Sequence, residues 1–516
     1  MLFAFVAIVM AQQEQPEATF RAGTKLVDVD VVAQRKGAPA TGLTKDDFAL
    51  LDNGKKQTIA FFSVRSRKTG GSALVSPPPG VFSNRTARVE EAANTTVILF
   101  DQMNTPQALQ AFAVPRIVKF IQSRHGADRI GIYTILGNGG LHVVEELTSN
   151  SELLSRAANS LKARDPHRRD SDTAGMTRHE SEGYAAIGIT DPAMAVKGAL
   201  DQIARHLANV PGRKNVVWIT TAFPLYVLEL GIDFRPEMEK AARALNDASA
   251  ALYAVDARGL MGALDGLTAI SNAETPGPPP SPRLIAMLMQ RGEPANPRGL
   301  DTEQMLSGLT GGLTFFNQSN ALEESIQTAV DDGDLTYTLG FYPEDSEQDG
   351  RSHDEIWHDI NVAVRLPGVR LRYRRNYAAH REGGAADGRP TLEQLLSEPL
   401  DATQLELRVS VAHNKAQAEV LQVNVNVDLH NVEFKHESMR RLCAVELAFH
   451  VEGTSKMTSK TLQIEIPDDQ FATFLEKGLN MVASIDTTGG VEAFRVLVQD
   501  RVTGAAGSVR VPLPNR

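Results

Sequence analysis

The sequence predicts an α/β domain of the doubly wound, Rossmann-like kind set between all-β modules, and three observations lead there. From Thr95 onward, short unbroken apolar runs such as Thr96–Phe100 (TVILF) and Val216–Thr220 (VVWIT) alternate with helical segments. Strands apolar on both faces belong in a mostly parallel sheet covered by helices. On either side of this region the period drops to two, as where Val27, Val29 and Val31 interleave with Asp28 and Asp30, the mark of half-buried strands. At 516 residues the chain exceeds what one hydrophobic core supports, so three or so domains are expected.

Taken in order, MLFAFVAIVMAQQ opens with an apolar run too short to span a bilayer and reads as a signal peptide over 1–11, with cleavage after Ala11. A β module follows over 19–65, with Asp52-Asn53-Gly54-Lys55 as a hairpin turn between strands. Residues 66–93, rich in Ser, Gly, Pro and Arg, read as a linker. The α/β domain occupies 94–334, with helices around 107–124, 151–163, 192–209, 236–249, 301–309 and 320–332, and a Gly- and Pro-rich insertion loop over 259–300. Strands return over 335–378; too few to be stable alone, they are expected to pair with the N-terminal module in one sandwich. A polar linker spans 379–394, and 395–516 carries seven alternating segments that suggest an independent immunoglobulin-like β-sandwich.

A hydrophobic share of 42% and a charged share of 22% are ordinary for globular proteins, which sets aside wholesale disorder and a membrane bundle. A net charge of -10 argues against a nucleic-acid surface, which needs clustered basic charge. No later stretch reaches transmembrane length, so a transmembrane anchor is not expected and the mature chain is expected in the periplasm or outside the cell. Cys443, the single cysteine, excludes an internal disulfide and reads as a buried, inert thiol.

From about Phe20 to Ala378 the chain resembles the von Willebrand factor A-related proteins of acidobacteria. The resemblance is carried by TKLVDVDVVAQRKGAPATGLTKDDFALLDNGKKQTIAFF, ILFDQMNT, PGRKNVVWITTAFP, ALYAVDARGL and LTYTLGFYPE…VRLRYRRNYAA, in that order. It implies a von Willebrand A-like domain and a divalent-cation adhesion site at the carboxyl edge of the sheet. Such a site uses an Asp-x-Ser-x-Ser loop, a Thr from a later loop and a further Asp, a donor set suited to Mg²⁺ or Mn²⁺. Asp101 stands in the place of the first Asp, while Met103 and Thr105 occupy the two Ser positions. Thr190 matches the later Thr, and Thr220-Thr221-Ala222 replaces the loop that holds the last Asp. Asp101, Thr105 and Thr190 therefore make at most a degraded site that binds Mg²⁺ or Mn²⁺ weakly, and no cofactor is required. The more economical reading has Asp101 and Thr105 capping the next helix and bonding their own loop. Asn104 and Thr221 complete the expected binding edge.

Other motifs are weaker. Asp345–Gly350 imitates the start of a calcium loop, but the twelfth position is Ile356, so a solvated hairpin loop is expected. Asp165, His167, Asp170, Asp172 and His179 share a polar loop with four Arg and lack metal-ligand spacing. Gly137-Asn138-Gly139-Gly140 joins two strands and reads as a hairpin turn. Pro211-Gly212-Arg213-Lys214 reads as a helix end turning into a strand, with anion contact by its basic pair as the alternative. No Gly-x-Ser-x-Gly elbow or complete acid–base set appears, so the expectation is a non-enzymatic protein that binds a protein or cell-surface ligand. A passive structural role in an envelope assembly is the alternative, and a metal-dependent hydrolase is the less favoured third.

Overall fold

The computed structural model describes residues 26–66, 80–85, 94–123, 128–137, 139–162, 192–221, 226–227, 232–257, 300–316, 322–343, 356–379, 389–413, 420–454, 457–486 and 491–513. The chain is a mixed α/β protein. Segment 1–11, the calcium-like loop, the Asp165–His179 cluster and nearly all of the insertion loop fall outside the described residues. Among the described residues no helix is long and apolar enough to cross a membrane.

The first strands are β1 (Val27–Arg35), β2 (Ala38–Pro39), β3 (Phe48–Asp52), β4 (Lys55–Gln57) and β5 (Phe61–Ser66). A short strand, β6 (Val81–Ser83), precedes the α/β region. That region runs β7 (Thr95–Asp101), α1 (Gln107–Ser123), β8 (Arg129–Ile135), β9 (Leu141–Thr148), α2 (Ser151–Ser160), α3 (Pro192–Leu207), β10 (Lys214–Thr220), β11 (Tyr226–Val227), β12 (Ile232–Asp233), α4 (Arg235–Asp247), β13 (Ala250–Asp256), α5 (Leu300–Thr310), β14 (Thr314–Phe315) and α6 (Leu322–Asp331).

Its six-stranded sheet has the order β14-β13-β10-β7-β8-β9, parallel except for the edge strand β9. Every residue of β7, β8, β10 and β13 is buried, which is why these strands read as unbroken apolar runs. Alternate residues feed two cores. Val97, Leu99, Val216 and Trp218 meet Val196, Ile203 and Leu207 of α3, Met238 of α4 and Leu306 of α5 on one face. On the other face, Ile98, Phe100, Val217 and Ile219 meet Ile117 of α1, Leu154 of α2 and Ile326 of α6. Local signals set the helix starts: the Asn150 side chain accepts from the Glu152 and Leu153 amides at the head of α2, and Pro192 opens α3. β9 pairs β8 antiparallel, and the Gly139 amide donates to the Leu136 carbonyl at 2.8 Å between them; Asn138 lies outside the described residues.

After α6 come β15 (Leu335–Phe341), β16 (Ile356–Val364), β17 (Val369–Arg372) and β18 (Asn376–Ala379). β1 lies between β15 and β17, β15 pairs β5, and β16 lies between β3 and β18. The segments before and after the α/β region thus form two sheets around one core, where Val29, Val31, Leu50, Tyr337, Leu339 and Ile360 meet. Gly311, at the end of α5, takes φ +75°, and a side chain there would strike the Tyr373 backbone at 2.4 Å. Only glycine lets the α/β region and this two-sheet unit approach so closely.

The C-terminal unit holds α7 (Leu392–Ser397), β19 (Leu407–His413), β20 (Val420–Val427), β21 (Lys435–Glu437), β22 (Arg440–Val451), β23 (Met457–Pro467), α8 (Asp468–Lys477), β24 (Leu479–Asp486), β25 (Ala493–Asp500) and β26 (Ala506–Pro512). Its sheets, β24-β20-β19-β6 and β21-β22-β25-β26 with β23 on β22, share a core of Val409, Val423, Val425, Leu447, Val496 and Val498.

Two expected linkers differ from the structure. Within 66–93, β6 pairs β19, and the buried Asn84 side chain donates to the Ala402 and Leu405 carbonyls and accepts from the Leu407 amide, each at 2.7–2.8 Å. The physical reason is that β19 would otherwise present an open edge. Within 379–394, α7 begins at Leu392, because Thr391 and Gln394 form a reciprocal capping box and Leu395 and Leu396 are buried. The expected independence of 395–516 is qualified by the same contact, since a strand from the far end of the chain completes one of its sheets.

Candidate functional site

Asp101 ends β7 and Thr220 ends β10, its neighbour in the sheet, so both stand at the carboxyl edge. From β7 the chain proceeds to β8 and β9 on one side, then returns to β10, β13 and β14 on the other. Asp101 therefore lies at the topological switch point of the sheet.

The Asp101 carboxylate is fully buried, and protein groups solvate it. The Asn104 amide donates to Oδ1 at 2.9 Å, while Oδ2 accepts from the Asn104 side chain at 2.8 Å, the Thr220 hydroxyl at 2.9 Å and the Trp218 indole at 3.3 Å. Burial pushes its pKa above the ordinary value, and these donors pull part of the way back. None of the donors carries a formal charge.

The loop that follows is tied down from beneath. The buried side chains of Gln102 and Gln110 bond each other at 2.9 Å, and Gln110 also donates to the Gln102 and Thr105 carbonyls. The Thr221 hydroxyl donates to the Asn104 carbonyl. Met103 packs against the apolar core on the α3 face instead of entering the polar loop. The Thr105 hydroxyl is buried and has no hydrogen-bond partner among the described residues.

Of the residues expected to form the site, Asp101, Asn104, Thr105 and Thr221 are thus brought into one loop cluster, and Thr190 lies outside the described residues. The set fits a hard dication poorly. Three donors occupy Asp101 Oδ2 and one occupies Oδ1, Met103 is drawn into the core, and Thr221 hydrogen-bonds the loop; among the described hydroxyls of the set, that of Thr105 has no hydrogen-bond partner. Among the described residues no group of three or more His, Cys, Asp or Glu is disposed to hold a metal.

The amino edge of the same sheet is built differently. Arg213 and Lys214, the basic pair for which anion contact was the alternative, are buried: Arg213 donates to the Gly311 carbonyl at 2.7 Å and Lys214 to the Val210 carbonyl at 2.8 Å. Burial lowers the Lys214 ammonium to about 7, with Asp30 opposing and Arg65 reinforcing the shift. Asp332 receives the Tyr253 hydroxyl at 2.7 Å, the Gln34 side chain at 3.1 Å and an ion pair from Arg372. Arg374 reaches the Asn246 carbonyl at 3.1 Å and the Asp28 carbonyl at 2.5 Å. Far from both edges, Cys443 is buried and its thiol is pushed up to about 12, as an inert core residue should be.

No family model matches the chain, and no curated protein sequence does. Solved structures do resemble it. An aerotolerance-related membrane protein from Bacteroides fragilis is similar over 46% of this chain and 99% of its own, at 14% identity and a TM-score of 0.27. BatB from Bacteroides thetaiotaomicron is similar over 32% of this chain and 66% of its own, at 14% identity and a TM-score of 0.18. A von Willebrand factor type A protein from Catenulispora acidiphila is similar over 62% of this chain and 72% of its own, at 12% identity and a TM-score of 0.21.

Sequence reasoning missed Trp218 and Thr220 as partners of Asp101. The signal was present: in a parallel strand Val216, Trp218 and Thr220 share a face, and register puts that face beside Val97, Leu99 and Asp101.

Proposed function

We propose that this chain is an exported bacterial binding protein, not an enzyme. In this reading a doubly wound, von Willebrand A-like unit flanked by β-sandwich modules engages a protein or cell-surface ligand. The ligand meets the edge carrying Asp101, Asn104, Thr105 and Thr221. The observation that carries the reading is position: ligands of open α/β sheets collect beyond the carboxyl ends of the strands at the switch point, where Asp101 and Thr220 stand. A rigid loop suits such a role, because a pre-ordered surface loses little entropy on binding. Mg²⁺ or Mn²⁺ is a weak accessory at most, since the Asp101 carboxylate is already satisfied by the protein.

The alternative of a passive envelope scaffold draws support from the extensive contacts between the α/β unit and both of its neighbours. Site-specific photocrosslinking of the full-length chain in envelope extract separates the two. A photoreactive side chain at Asn104 is expected to capture a discrete partner, and Thr221→Arg to abolish capture. The same probe at Met439, 78% exposed on a C-terminal hairpin, is expected to capture nothing specific. Capture from Met439 but not from Asn104 would overturn the binding-edge reading and favour the scaffold.

A further inference from the structure

The last turn of α3 ends against the C-terminal unit. Helix C-termini leave carbonyls without partners, and here Thr403 supplies them: its amide donates to the Arg205 carbonyl at 3.1 Å and its hydroxyl to the His206 carbonyl at 2.9 Å. The Asn209 amide returns a bond to the Thr403 hydroxyl at 3.1 Å, and Arg205 forms an ion pair with Glu398. His206 sits in the middle of this contact, 8% exposed.

Both of its ring nitrogens face oxygens that only accept. Nδ1 is 2.9 Å from the Asp401 carbonyl, so it carries a hydrogen. Nε2 is sealed from water and 3.3 Å from the half-exposed Glu146 carboxylate on β9, an ion-pair distance without an aligned hydrogen bond. A neutral ring with its hydrogen on Nδ1 would turn the Nε2 lone pair toward an anion. Only the imidazolium satisfies both sides, and a cation at a helix C-terminus is favoured by the helix dipole as well.

We propose that His206 is a protonation-gated clasp between the α/β unit and the C-terminal unit, closed while the ring carries both protons and loosened when it loses one. Burial disfavours the charged ring, but Glu146 and Asp401 outweigh it and raise the pKa above the ordinary 6.5. A raised folded pKa contributes stability that is fully present below about 6.5 and is lost as pH rises through the folded value. The other charged groups around the contact are Arg129 and Tyr133 on β8, Arg205 and Asp201 on α3, Glu398 and Asp401, Arg495 on β25 and Arg510 on β26. Above pH 6.5 the arginines stay charged and the Tyr133 phenol, raised further by burial, stays neutral. Lys214, lowered to about 7 and bonded to the Val210 carbonyl beside Asn209, titrates in the same range, but a lowered folded pKa adds stability as pH rises, so an alkaline loss belongs to His206.

Hydrogen exchange of the full-length chain from pH 5.5 to 9, corrected for intrinsic rates, tests this. Protection of the Thr403 amide is expected to be flat below about pH 6.5, to fall by up to tenfold per pH unit above it, and to level off past the folded pKa. Protection of Val496, inside the C-terminal core, should not follow. His206→Gln should flatten the profile, and Glu146→Gln, at a half-exposed position that tolerates change, should shrink it. A flat wild-type profile, the same fall in His206→Gln, or an unaltered profile in Glu146→Gln would overturn the clasp.

Discussion

The two edges of the central sheet treat a buried carboxylate in opposite ways. At the carboxyl edge, Asp101 is held by an amide, a carboxamide, a hydroxyl and an indole, all neutral and all from the α/β unit itself. At the amino edge, Asp332 takes a guanidinium from β17 and a carboxamide from β1, both supplied by the flanking two-sheet unit. An edge sealed permanently by a neighbour can settle its charge with the neighbour's charge. The carboxyl edge settles its charge from within the α/β unit, and its neutral donors do so without presenting a competing ion.

The largest effect should come from the sealed edge. Arg372→Met removes the cation paired with Asp332 and leaves it with the neutral Tyr253 and Gln34 donors. It is expected to cost about 3 kcal/mol in urea unfolding, since removing one member of a buried pair leaves the other's charge uncompensated. Replacing both residues by apolar ones should recover much of that loss. A cost no larger than that of a surface pair would mean that water reaches Asp332.

A smaller loss is expected at the carboxyl edge. Thr220→Val keeps the shape and removes one donor, for about 1–3 kcal/mol. It also extends a pH effect. Because the Asp101 pKa is raised above its ordinary 3.8, the native state holds that proton more tightly, and the contribution of Asp101 to stability falls as pH rises from 3.8 through the folded value. The difference between wild type and Asp101→Asn, measured by unfolding from pH 3.5 to 7, should trace this fall, and Thr220→Val should move its end to higher pH. A difference that grows with pH in the opposite direction would mean that the donors outweigh burial.

Smallest is Thr105→Val. Its hydroxyl has no hydrogen-bond partner among the described residues, so the change should leave stability equal or up to about 1 kcal/mol higher, in contrast to the same change at Thr220. Millimolar Mn²⁺ should leave the wild-type melting temperature unmoved, because a ligand far below its dissociation constant adds no stability. A Mn²⁺ shift that Thr105→Val abolishes would put a cation on that hydroxyl.

How much of this was legible depends on where each signal resides. The four inner strands of the central sheet were, because burial on both faces writes itself as runs such as TVILF and VVWIT regardless of the partner. The helix α8 was not read, although Pro467, the acidic first turn, Phe471, Phe474 and Leu475 at helical spacing and Gly478 at φ +72° announce it; strands on both sides masked the change of period. β6 is three residues long, and no local pattern encodes a partner at the other end of the chain. At the site, the Asp position was readable, but the quality of its solvation was not. That depends on Trp218 meeting Asp101 across two strands distant in sequence.

The pairing of β6 with β19 also sets a timetable. Ser83 and the Leu407 carbonyl it bonds are separated by 324 positions. At about 5–20 residues per second of synthesis, on the order of half a minute separates their emergence. β1 likewise waits for β15. Every strand of the central sheet, by contrast, lies between Thr95 and Phe315, so the middle of the chain is the first part able to fold to completion. The growing protein therefore carries two unfinished arms from its opening residues while a finished centre forms between them. β19, the strand that releases β6 from waiting, is made only after the central sheet is complete, so the nascent chain stays exposed to mispairing until His413 has emerged.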